Sequence, residues 1–191
     1  SSNADCLLGS QNDVATIGLL IERGADSNAA NKAGDAALHV SCRNEDSEGI
    51  EKLLECSADP ALQNGEGETP LHVVSGQSEP DRVQLLLDHG GDVTKITSDA
   101  MGALTSMQVS CENRDAQSMA ILLQASSDSN VSNGDGDTPL HLMTGYGFSE
   151  SVGLLLDAGA APSARNNEDV TPLQTSVSQM DAACTTLLLE A

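Results

Sequence analysis

Thr69-Pro70-Leu71-His72 returns as Thr138-Pro139-Leu140-His141, and each copy is followed at one fixed offset by a triple leucine, Leu85-Leu86-Leu87 and Leu154-Leu155-Leu156. A phrase and a leucine cluster that keep their spacing are the mark of a tandem array. In such an array each unit buries its apolar face only against its neighbours.

Fainter copies of the phrase stand at Ala36-Ala37-Leu38-His39 and Thr171-Pro172-Leu173-Gln174, which puts the starts 33 residues apart on each side. The leucine pairs locate the rest: Leu20-Ile21, Leu53-Leu54, Leu86-Leu87, Leu122-Leu123, Leu155-Leu156 and Leu188-Leu189. Stepping back from Leu122 reaches Thr105-Ser106-Met107-Gln108, a worn form of the same phrase. Asp26, Asp59, Asp92 and Asp128 keep the same step, with extra residues between the last two. Six units are therefore expected: 5–30 (partial), 31–63, 64–99, 100–132 (degenerate), 133–165 and 166–191 (truncated), with an insertion near 97–99.

Within a unit the pattern predicts two short helices. Thr69 suits an N-cap and Pro70 the first turn, where its missing N–H is no loss. Leu71 and Val74 begin one apolar stripe. A second stripe runs at i, i+3, i+4 through Val83, Leu86 and Leu87, and likewise through Ile50, Leu53 and Leu54 or Val152, Leu155 and Leu156. Gly90 and Gly159 fit the C′ position. Polar turns such as Asn64-Gly65-Glu66-Gly67 lead into the next unit. Neither helix is long enough to be stable alone, so stacking must supply the core.

The period and the Thr-Pro-Leu-His phrase resemble the ankyrin repeat family over nearly the whole chain. The resemblance implies an all-α solenoid of stacked helix–turn–helix units with β-hairpin or turn connections. The chain departs from the family pattern in three places. The fourth unit lacks the Pro and His and carries Ala100-Met101-Gly102-Ala103-Leu104 in its turn. Asp169 replaces a turn glycine, and the first unit has no recognisable hairpin.

The chain has 191 residues, one Tyr, one Phe and no Trp, so aliphatic side chains must do the packing. Lys and Arg total 8 against 29 Asp and Glu, a net charge of −21. That field repels nucleic acid and anionic membrane and attracts basic partners, although acidic residues also serve simply to keep an array soluble. The five cysteines are odd in number and show no CxxC spacing. They read as structural thiols in a reducing, intracellular setting, cytoplasmic or nuclear. No signal peptide or membrane span is visible. Ser1-Ser2-Asn3-Ala4 reads as an expression scar, and the chain as an excised fragment of a longer protein.

No catalytic constellation is expected. His39, His72 and His141 all occupy the last position of the phrase, which marks them as scaffold; in the family this histidine resembles a hydrogen-bonding link between units. His89, near a helix end, suits capping of the last carbonyls. Asn133-Gly134-Asp135-Gly136-Asp137 has the acids of a calcium loop but fits its Gly and Glu positions in neither register. No Ser/His/Asp or Cys/His arrangement stands out, and no cofactor or metal is implied.

The family resemblance implies a concave groove formed by hairpin tips and inner-helix ends. Carried over, the tips are Lys32, Ala33 and Asp35; Glu66 and Glu68; Met101, Gly102 and Leu104; Asp135 and Asp137; Glu168 and Val170. The exposed helix ends are Arg43, Asn44, Gln77, Glu112, Asn113, Tyr146 and Gln179. Acid recurs along one edge, so an additive field from Glu66, Glu68, Asp135 and Asp137 is expected. Met101 and Leu104, and Tyr146 in a glycine-flanked loop, are candidate anchors; packing roles within the array are the alternative. Phe148 reads as structural. The leading expectation is a non-enzymatic module, monomeric in isolation, that docks a basic segment of another protein, with no nucleic acid and no direct membrane contact. The alternatives are an ankyrin-type inhibitor masking a basic segment of a transcription factor, or a targeting domain of a larger enzyme or channel.

Overall fold

A computed structural model describes residues 14–98, 104–125 and 127–191. After an initial helix α1 (Val14–Glu22) come five helix pairs: α2 (Ala37–Arg43) with α3 (Ser47–Glu55), α4 (Pro70–Ser75) with α5 (Pro80–Asp88), and α6 (Ser106–Glu112) with α7 (Ala116–Gln124). Then follow α8 (Pro139–Tyr146) with α9 (Ser149–Asp157), and α10 (Pro172–Ser178) with α11 (Ala182–Glu190). The first member of each pair forms an inner row, α2, α4, α6, α8 and α10, and each of these packs on the next. The stack is continuous through α6 and α7 although their phrase is worn.

Apolar spacing explains the core. Leu38, Leu71, Met107 and Leu140 hold one position in successive inner helices, and Leu53, Leu86, Leu122 and Leu155 one position in the outer row; all are fully buried. Each such side chain contributes about 1.5–3 kcal/mol of burial. Cys42 and Cys111 fill matching positions at zero exposure. Consecutive outer helices pack directly on one another with one exception. The backbones of α3 and α5 stand further apart.

The local chemistry predicted for the helix ends is present, with one change of partner. Pro70, Pro139 and Pro172 begin their helices, and Gly90 and Gly159 follow theirs with positive φ. Thr105 and Thr171 accept from the backbone N–H of Gln108 and Gln174. Thr69 and Thr138 instead turn Oγ1 to the Nδ1 of His72 and His141, at 2.8 and 2.9 Å. Histidine at that position offers a ring nitrogen, and the hydroxyl takes it. Asp46, Asp115 and Asp181 cap the outer helices.

The connections are tight turns closed by asparagine. Asn31, Asn64, Asn133 and Asn166 each accept, through Oδ1, the N–H groups two and four residues on. Thr97 takes this place before α6. Its N–H donates to Leu104 O, and its Oγ1 accepts from Leu104 N. Eight residues run from Thr97 to Leu104, against five from Asn64 to Glu68, so the inserted residues lie inside this turn. The expected insertion near 97–99 falls partly on residues 99–103, which lie outside the described residues. A loop extension of this size adds little entropy, about 0.6 kcal/mol per doubling of length.

The turns also bond to one another. Gly65 N donates to Ala33 O, Ser98 N to Glu66 O, and Asn167 N to Asp135 O. A Cβ on Gly34 would lie 2.4 Å from Gly65 N, and one on Gly67 2.4 Å from the Ser98 side chain. Both glycines have positive φ, so backbone conformation and close approach demand the same residue.

Candidate functional site

The inner face is built by a recurring polar network. In each phrase the backbone N–H of the residue before the helix donates to histidine Nδ1: Ala36 to His39, Thr69 to His72 and Thr138 to His141. With Nδ1 accepting, the proton sits on Nε2, which donates to a carbonyl of the following turn. The partners are Glu68 O at 3.0 Å, Leu104 O at 3.1 Å and Val170 O at 3.0 Å. Burial holds the His39 and His72 rings below their ordinary pKa, against the opposing pull of those carbonyls. They are neutral links between units.

The fourth phrase keeps the arrangement with glutamine. Thr105 N donates to Gln108 Oε1, and Gln108 Nε2 donates to Val131 O.

The expected edge acids divide into two kinds. Glu66, Asp135 and Glu168 are exposed, and their carboxylates have no partner among the described residues. Glu68 and Asp137 are half-buried and partly spent on structure: Glu68 accepts from Arg43 and Asn64, and Asp137 from Asn166 Nδ2 at 2.7 Å. Asp35, expected as a tip residue, is only 7% exposed. It accepts from Arg43 at 2.6 Å and from Asn64 Nδ2 at 2.9 Å. Burial raises its pKa, but the hydrogen bonds from Arg43 and Asn64 and the Arg43 charge outweigh that and hold it below the usual value. Asp35, Glu68 and Asp137 share one register position facing the asparagine turns, so periodicity that suggests a charged edge also describes an internal strut.

Arg43 therefore clamps Asp35 and Glu68 together rather than standing clear. Gln77 is half-buried and donates from Nε2 to Cys42 O of the preceding inner helix. Glu112 and Asn113 are exposed, with Asn113 folded onto Val109 O. Leu104 is half-buried, and Met101 lies outside the described residues.

Tyr146 is the last residue of α8 rather than part of a loop, and it is 40% exposed. Arg114, from the preceding pair, stands over its ring at 4.8 Å from the centroid and over Phe148 at 5.9 Å. Phe148 itself packs against the core. Sequence reasoning passed over Arg114. It belongs to no phrase, and only its place beside the two aromatic residues could have marked it.

Two adjoining hollows open between the turns and the inner helices. One, of about 430 Å³, is lined by Gly65, Glu66, Glu68, Thr97, Ser98, Leu104 and Val109. The other, of about 310 Å³, is formed around Asp35, Arg43, Asn64, Glu66 and Glu68. Glu66 and Glu68 are common to both. The larger hollow combines carboxylates with the apolar Leu104 and Val109, a surface that suits a side chain with an aliphatic stem and a cationic head. Among the described residues no cluster of His, Cys, Asp and Glu could hold a metal ion, and no helix is long and apolar enough to cross a membrane.

A family model described as ankyrin repeats in three copies matches residues 6–97, 38–129 and 106–191. Tyrosine-protein kinase HTK16 of Hydra vulgaris is 26% identical over 96 residues, a match covering 49% of this chain and 13% of the kinase. Among solved structures, the ankyrin repeat domain of Bcl-3, described as a unique member of the IkappaB protein family, superposes with a TM-score of 0.82. It is 27% identical, over 92% of this chain and 77% of that one. The ankyrin repeat protein EF0377 gives a TM-score of 0.85 at 20% identity, over 99% and 95% of the two chains. At that identity the likeness concerns the fold alone.

Proposed function

This chain belongs to the ankyrin repeat family, and on that premise we propose that it docks a basic, extended segment of another protein in the groove beneath its turns. Ankyrin repeats generally act as protein–protein interaction modules, and the fold is typically non-enzymatic. The observation that carries the finer reading is the 430 Å³ hollow, where Glu66 and Glu68 face Leu104 and Val109. A lysine or arginine of the partner buries its stem on the two apolar residues and leaves its charge beside Glu66. The net charge of −21 steers such a segment inward. In this reading Leu104, Met101 and Tyr146 supply the anchors and the exposed acids set the encounter rate.

A panel of extended peptides of equal length, graded in lysine and arginine content, tests this. Binding measured by fluorescence anisotropy should strengthen with basic content, weaken with salt, and drop with Glu66→Lys. Binding of the basic peptides that ignores Glu66→Lys rejects the groove as the site.

The likeness to the Bcl-3 domain favours a second reading, in which the chain masks a basic segment of a transcription factor. The kinase match, confined to 13% of that protein, supports a third, in which the array is the targeting part of a larger enzyme.

A further inference from the structure

In four of the five paired outer helices the third residue is small and buried: Gly49, Ser118, Ser151 and Cys184. In α5 it is Arg82. A guanidinium in a position made for a small side chain accounts for the wider spacing of α3 and α5. The opened seam holds a cavity of about 300 Å³, bordered by Ser47, Glu51, Asp81, Arg82 and Asp88.

Arg82 is only 9% exposed, and its charge is incompletely matched. Nε donates to Ser47 Oγ at 3.1 Å and Nη2 to Glu45 O at 3.2 Å. Glu79 stays 4.0 Å away, and Nη1 is buried with no hydrogen-bond partner. A buried guanidinium nitrogen left without an acceptor is destabilising. Ser47 is exposed and is the first residue of the nine-residue helix α3, where the helix dipole favours negative charge.

We propose that Ser47 and Arg82 form a phosphoserine latch: Ser47 accepts a phosphoryl group, and Arg82 holds the resulting phosphate across the α3–α5 seam. Ser47 Oγ attacks the γ-phosphorus of a nucleoside triphosphate bound to a protein kinase. The Oγ–P bond forms as the bond to the diphosphate leaving group breaks, and the hydroxyl proton passes to the kinase's base. The new phosphate oxygens lie on the group that already receives the Arg82 Nε–H, and Nη2, which shares that edge of the guanidinium, turns to them from Glu45 O. Two N–H groups on one phosphate is the fork geometry at which arginine excels. The modification then ties two neighbouring units together. Glu51, Asp81 and Asp88 line the same cavity and work against the charge, so Arg82 must outweigh them for the latch to close.

The array contains its own control. Ser149 is the first residue of α9, and the residue corresponding to Arg82 in the following outer helix is Cys184. Phosphoserine is installed during translation at position 47 or 149, and each phosphate is titrated by ³¹P NMR. The phosphate at 47 should titrate lower than that at 149 by about half a pH unit or more. Arg82→Gln should abolish the difference, and melting temperature should rise only for the modified position 47. Equal midpoints at 47 and 149 overturn the latch, as does a midpoint at 47 that ignores Arg82→Gln. The comparison with 149 decides the matter even where the glutamine variant does not fold. Incubating the unmodified folded chain with ATP and an acid-directed serine kinase should place phosphate on Ser47, as mapped by tandem mass spectrometry. Label confined to other serines rejects Ser47 as the acceptor.

Discussion

The Arg114 guanidinium carbon lies 4.8 Å from the centroid of the Tyr146 ring, joining the end of one inner helix to the turn of the pair before it. An exposed cation–π contact of this kind is worth about 0.5–1 kcal/mol. Tyr146 is the single tyrosine of a chain without tryptophan, so its fluorescence reads this contact alone. Arg114→Gln should alter that emission and lower urea stability by about the same 0.5–1 kcal/mol. Unchanged emission would show that the contact is not held in solution.

The division among the edge acids separates binding from stability. Removing the charge of Glu66, Asp135 and Glu168 together should slow association with a basic peptide and flatten its salt dependence, with melting little changed. Glu68→Gln and Asp137→Asn should lower stability as well, because Glu68 accepts an inter-unit bond from Arg43 and Asp137 one from Asn166. Stopped-flow association and thermal melts on both sets check this. Equal stability in the two sets contradicts the strut role.

Acid should weaken the array in a defined window. His39 and His72 are held below their ordinary value near 6.5, so the folded state refuses protons that the unfolded chain accepts. More protons on the unfolded state means that stability rises with pH. Stability contributed by the neutral rings is therefore present above about 6.5 and lost as pH falls below it. Asp35, depressed below 3.8, adds a second loss at still lower pH. Urea midpoints at pH 7.5 and 5.5 should differ in the wild type and differ less in His39→Gln/His72→Gln. Glutamine at the matching position 108 already makes the corresponding pair of bonds.

Burial raises the thiols of Cys42, Cys111 and Cys184 to about 12. Only the thiolate reacts readily. Iodoacetamide at pH 8 should leave these three unmodified in the folded chain while labelling the partly exposed Cys56. Prompt labelling of Cys42 or Cys111 would mean that the core opens.

Asp169 occupies the positive-φ turn position held by Gly34, Gly67 and Gly136 in other turns. Arg165 offsets part of the strain by binding both the Asp169 carbonyl and its carboxylate. Asp169→Gly removes the strain and loses the carboxylate contact, for an expected gain of up to about 1 kcal/mol. Paired denaturation curves of Asp169→Gly and Asp169→Ala measure it, alanine being the less stable of the two.

Much of this architecture is legible in the sequence because an array repeats its own evidence. One Thr-Pro-Leu-His phrase is weak, but four in phase with the leucine pairs fix helix, turn and stacking direction. The insertion could be counted but not placed, since its location depends on which residues close the turn, and Thr97 replaces the asparagine that marks the others. Asp35 belongs to a tip and is nevertheless buried, because register assigns a residue to a turn without saying which way its carboxylate faces. Arg114 and Arg82 were passed over for a related reason. Each acts on a residue of a different unit, and pairings across the seam have no period of their own.

The inner-face bonds have a direction. His39, His72 and His141 each donate forward, to a carbonyl belonging to the turn that follows. Melting of a turn therefore strands a buried donor in the pair before it, at about 1–3 kcal/mol. Loss of the earlier pair leaves the matching carbonyl, Glu68 O, Leu104 O or Val170 O, without its donor. The turn-to-turn bonds run the other way, from Gly65, Ser98 and Asn167 back to the turn before, so neighbouring units are held by two sets of donors with opposite grain.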